Sequence, residues 1–93
     1  MRSYSRSHLA DSTLESNLNT NFRREGAATA ELLADIAEFD ARKLYVPAGY
    51  ESMLDYCVHN LGRSEDATRR RIHAARVARK FPVIFPAVAE GRL

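Results

Sequence analysis

Arg69, His73, Arg76 and Lys80 follow one another at intervals of four, three and four residues. On a helix turning about 100° per residue, such spacing gathers all four on one face. Guanidinium, imidazole and ammonium groups in a row supply hydrogen-bond donors and positive charge. Phosphate oxygens and the acceptor edges of nucleic-acid bases call for that combination. Arg63 and Ser64 stand just ahead of the same segment, where the N-terminal end of such a helix would also meet an anion. These six residues are the candidate DNA-binding set.

Other chemistry finds less support. His8, His59 and His73 lie in three separate segments, and no pair of His or Cys has the spacing of metal ligands. The four glycines are scattered and form no phosphate-cradling loop. Cys57 is the only cysteine, so an internal disulfide is excluded, and its place on an apolar helical face predicts a buried structural thiol. Asp35 and Glu38 belong to a helix surface, where solvation is the simpler role than acid–base work. Tyr45, Tyr50 and Tyr56 surround a connection and are expected to pack on one another and pin it. The expectation is therefore a non-enzyme, with no catalytic residue, no metal and no cofactor.

The chain has 93 residues, 45% apolar and 28% charged, the composition of one globular domain with a modest core. Net charge is +2, yet the segment from Arg63 to Lys80 carries seven basic residues against two acidic, or +5, leaving −3 for the rest. A basic segment on an otherwise acidic chain points to a polyanionic or acidic partner. No apolar run is long enough to span a membrane, and the polar first twelve residues lack the core of a signal peptide. A cytoplasmic protein is the simplest reading.

The elements that must position these residues are all helical. Residues 1–10 read as a flexible tail, and residues 11–93 as a single helical domain that could be a fragment or module of a longer protein. Ser12 and Glu15 have the spacing of a capping box. Leu14, Leu18 and Phe22, then Ala28, Leu32, Ile36 and Phe39, predict a helix over about 13–43, weakened near Gly26, where it could break in two. The stretch from Leu44 to Tyr50, with Pro47 and Gly49, is a connection. Met53, Leu54, Cys57, Val58 and Leu61 define a second helix stopped by Gly62. Ser64 caps a third, running to about Lys80, with Glu65 and Asp66 in its first turn. On that helix Ala67, Ala74, Ala75, Ala78 and Phe81 form the predicted inner side, Phe81 filling the core. Arg70 and Arg71 flank it and are expected to snorkel or pair with acids. Pro82 opens a short fourth helix that ends before Gly91, with Pro86 a threat to its continuity. The fold expected is a small all-α bundle with a long N-terminal helix and a helix-turn-helix-like hairpin.

Several stretches resemble a known family. They are Ala27-Ala28-Thr29-Ala30-Glu31-Leu32-Leu33-Ala34, Asp40-Ala41-Arg42-Lys43-Leu44-Tyr45, Ala48-Gly49-Tyr50-Glu51-Ser52 and Tyr56-Cys57. Leu61-Gly62-Arg63-Ser64-Glu65-Asp66-Ala67, Arg70-Arg71-Ile72, Ala74-Ala75-Arg76, Phe81-Pro82 and Glu90-Gly91-Arg92-Leu93 continue the series. Together, from about Leu9 to Leu93, they resemble the N-terminal helical region that precedes the catalytic part of bacterial HNH-endonuclease-type proteins. The resemblance implies an all-helical fold and a DNA-linked context. The catalytic residues of that family lie in its HNH motif, to which nothing here corresponds, so none is carried over.

Two functional expectations follow. The first is a non-catalytic DNA-binding accessory module in an HNH-nuclease context, using Arg63, Ser64, Arg69, His73, Arg76 and Lys80. Neutralising about four phosphates would give a log–log salt slope near −3.6. The second is a protein-interaction or homodimerisation module, because Leu14, Leu18, Phe22, Leu32 and Ile36 exceed what one small bundle covers.

Overall fold

The computed structural model describes residues 4–92, so the first three residues of the expected tail and Leu93 lie outside the described residues. Its elements are α1 (Asp11–Ala41), α2 (Met53–Asp55), α3 (Glu65–Lys80) and α4 (Ile84–Ala89). The short α2 continues as a five-residue π-helical turn, Tyr56–Asn60. The bundle is all-α, with a long N-terminal helix against which α3 and α4 pack. No helix of the described chain is long and apolar enough to cross a membrane.

α1 begins at Asp11, ahead of the expected capping box, which therefore does not form. The N-cap position falls on Ala10, which offers no side-chain acceptor. The helix then runs unbroken through Gly26. That glycine marks a close approach instead: a Cβ there would lie 2.8 Å from the Ala89 carbonyl oxygen and 2.9 Å from that of Val88. α4 thus rests its backbone directly on α1, and the residue least suited to a helix interior is the one that admits the contact. α1 ends in a Schellman stop. Lys43 adopts left-handed backbone, φ 53°, its N–H donates to the Asp40 carbonyl, and the Leu44 N–H reaches back to Phe39.

Ser52 caps α2, its hydroxyl accepting from the Asp55 N–H at 3.0 Å. The π-helical turn is closed by the Leu61 N–H to the Tyr56 carbonyl, and the Arg63 N–H then donates to Cys57. Gly62, at φ 67°, supplies the reversal that starts α3. Pro86 does not interrupt α4. It occupies the first turn of that helix, where a missing N–H costs little.

The core gathers Leu33, Ile36 and Ala37 of α1, Met53 and Cys57 of the second helical segment, and Ile72 and Ala75 of α3. Ala75 and Ala78 are fully buried, so α3 lies close on its neighbours, as its small residues predict. Phe81 does not fill the core. The backbone leaves helical geometry at Phe81, φ −128° and ψ 78°, and the ring stays 60% exposed. Thr68 and Ile72 take the inner side with the two alanines, which turns α3 by nearly one residue position from the alanine-centred expectation.

The radius of gyration is 16.8 Å, against about 12 Å for a compact chain of this length. The excess comes from α1, about 46 Å long at 1.5 Å per residue. Its buried residues begin only at Ala30. The preceding tail borders the polar side of the helix: Arg6, His8 and Leu9 face Asn17, Thr20, Asn21 and Arg24 across a shallow cleft. The apolar stripe of Leu14, Leu18 and Phe22 stays exposed.

Candidate nucleic-acid interface on helix α3

The rotation of α3 decides which cations face solvent. With Thr68, Ile72, Ala75 and Ala78 inward, the opposite side at about 100° per residue carries Arg69, Arg70, His73 and Lys80. All four are exposed. Arg70 therefore joins the outer face rather than pairing with an acid. Among the described residues neither Arg70, Arg71 nor Lys80 has an ion pair.

Arg76 sits on the flank and is already engaged. Its Nε and a terminal nitrogen donate to the two carboxylate oxygens of Asp40 at 2.9 and 3.0 Å, a bidentate pair linking α3 to the end of α1. The Asp40 side chain is only 15% exposed. Hydrogen bonding from Arg76 holds the Asp40 carboxyl below the ordinary carboxylate range and raises Arg76 in turn. Arg79 makes a second tie, to Glu38 at 3.3 Å, and Arg42 donates to the same Glu38 at 2.6 Å. Hydrogen bonds from Arg42, then Arg79, lower the Glu38 carboxyl. Two cations of the basic segment thus serve helix–helix attachment. A phosphate approaching Arg76 must compete with Asp40.

Arg69 is held less firmly. It pairs with Glu65 at 2.5 Å one turn back, with both side chains about 60% exposed. Pairs of that kind are worth about 0.3–0.5 kcal/mol, little enough for a phosphate to displace the carboxylate. Ser64 stands at the N-cap of α3 without a side-chain cap hydrogen bond. Arg63 borders a groove between α1 and the second helical segment, together with Arg71. The structure thus brings Arg69, His73 and Lys80 together, adds Arg70, ties Arg76 to α1 and sets Arg63 at a groove edge.

The tyrosines pack as their positions predict. Tyr56 lies 4.7 Å from Phe39 and 5.6 Å from Tyr50, ring centre to ring centre. Tyr45 packs against the core. The Tyr50 hydroxyl donates to Asn60 Oδ1 over a long 3.4 Å. Cys57 is buried, and loss of hydration pushes its thiol up, away from the reactive thiolate. Among the described residues no three His, Cys, Asp or Glu side chains are grouped to hold a metal ion. Comparison of the chain with protein-family models, with curated proteins and with solved structures gave no match.

Proposed function

We propose that this chain is a non-catalytic DNA-binding module that lays the outer face of α3 on the phosphate backbone. One observation carries the reading. Arg69, Arg70, His73 and Lys80 share the solvent-facing side of a helix whose other side is fixed to the bundle core. Affinity is mainly electrostatic, because three permanently charged side chains on an open surface neutralise phosphates without enclosing a base. With Arg76 committed to Asp40, about three phosphates are neutralised rather than four. The resemblance to the helical region ahead of an HNH catalytic part supports the same DNA-linked role.

The test is fluorescence anisotropy with a labelled duplex at low salt. It compares wild type, a variant with Arg69, Arg70 and Lys80 changed to Ala, and a control of equal charge with Arg6, Arg23 and Arg24 changed to Ala. Loss of binding in the first variant and its retention in the control are expected. Equal loss in both would reduce the interaction to net charge and remove α3 from the account.

A further inference from the structure

α1 carries an apolar stripe that its own bundle does not cover: Leu14, Leu18 and Phe22 are 43%, 55% and 63% exposed. The same side of the same helix, further on, lines an open groove of about 470 Å³. Leu32, Ile36 and Phe39 form one wall, and Met53, Cys57 and Leu61 the other. Arg63 and Arg71 stand at its edge, with one acid, Asp35. We propose that two copies of this chain associate through antiparallel α1 helices, the exposed stripe of each seated in the apolar groove of the other.

The spacing of the two surfaces fits when one is read backwards. Phe22 meets the second copy's Leu32, Leu18 its Ile36 and Leu14 its Phe39, in a register centred near Ala27. Successive steps of four residues on one helix oppose steps of four and three on the other, the interval at which helical side chains share a face. The charges beside the two surfaces are opposite in sign. Asp11 and Glu15 flank the start of the stripe, Arg63 and Arg71 edge the groove, and none of the four has an ion pair among the described residues.

Area explains why the contact is reciprocal. A single stripe of three side chains falls well short of the roughly 1,000 Å² that a specific interface needs. The antiparallel overlap from Leu14 to Phe39 is about 38 Å long. At about 10 Å wide, counted on both copies and with the second groove wall added, it reaches on the order of 1,000 Å². Exchange of both stripes closes a two-fold pair and leaves neither groove open.

Disulfide trapping tests the register. Phe22 and Leu32 are both exposed, so changing them to cysteine spares the core, and native Cys57 is buried. Under mild oxidation the double variant Phe22→Cys, Leu32→Cys is expected to yield a covalent dimer on a denaturing gel. Each single variant is expected to stay monomeric there, because like positions lie about 15 Å apart in this register. Wild type should sediment as a dimer, and Leu61→Glu, which places charge in the groove, as a monomer. A covalent dimer from Phe22→Cys alone would overturn the register in favour of stripe against stripe. Wild type that sediments as a monomer at every concentration would overturn the association. Neither readout involves DNA, so both stand apart from the function proposed for α3.

Discussion

Replacing Gly26 by alanine sets two opposed effects against each other, and the structure decides the sign. Gly26 lies inside α1, where alanine gains about 0.8–1.0 kcal/mol of helix propensity over glycine. A Cβ at this position, however, would meet the carbonyl oxygens of Ala89 and Val88 at 2.8 and 2.9 Å and the Ala89 carbonyl carbon at 3.3 Å. These are backbone atoms of α4, so no side-chain rotation relieves them and the whole short helix must back away. Forced overpacking of this kind costs about 1–3 kcal/mol. As α4 withdraws, Phe85 and Val88 loosen from the core they cover. The net expectation for Gly26→Ala is a loss of up to about 2 kcal/mol after the propensity gain is subtracted. Urea unfolding followed by circular dichroism measures it as a lower midpoint, and hydrogen exchange should show faster exchange confined first to α4. A higher midpoint with an unchanged m-value would refute the close approach, since propensity alone would then be at work.

Asp40 gives the bundle an acid limb. Its carboxyl is depressed in the folded state by Arg76, so the stabilisation is fully present above about pH 4, the unfolded value, and is lost as pH falls through the folded one. Asp40→Asn should cost about 1 kcal/mol at pH 7 and flatten the decline of thermal midpoint below about pH 4. Lys43→Gly should raise stability by about 1 kcal/mol in urea melts, because glycine takes the left-handed backbone of the Schellman stop without a side-chain clash. Ala10→Asp should add up to about 1 kcal/mol and raise helicity at 222 nm, since the N-cap of α1 has no side-chain acceptor. An unchanged spectrum would argue that α1 does not begin at Asp11.

The long helix, the connection at Pro47 and the reversal at Gly62 were legible because each follows from local chemistry: periodicity, a restricted backbone or a required positive φ. At Gly26 the propensity of glycine says only that a helix is weakened. The reason for the glycine lies in α4, at Val88 and Ala89, far along the chain. The rotation of α3 turns on a related balance. Four alanines and Phe81 outnumber Ile72 in the pattern, yet Ile72 carries three more carbons than any one alanine and gains more from burial. A face centred on the alanines places Arg76 outward and Arg70 away from solvent, whereas the buried set reverses the two. No local signal could have corrected the first, because the acid that holds Arg76 belongs to α1, thirty-six residues earlier. The exposed stripe on α1 was visible as an excess of apolar residues, while the groove that complements it exists only once three helices are assembled.

The most direct measurement for the central claim is the salt dependence of duplex binding by the wild-type protein. Anisotropy titrations across a series of salt concentrations give the slope of log K against log salt. With Arg69, Arg70 and Lys80 neutralising about three phosphates, a slope near −2.7 is expected, falling by about 1 for each of the three replaced by alanine. Binding that is absent even at low salt, or that does not change with salt, would contradict the assignment of function to the outer face of α3.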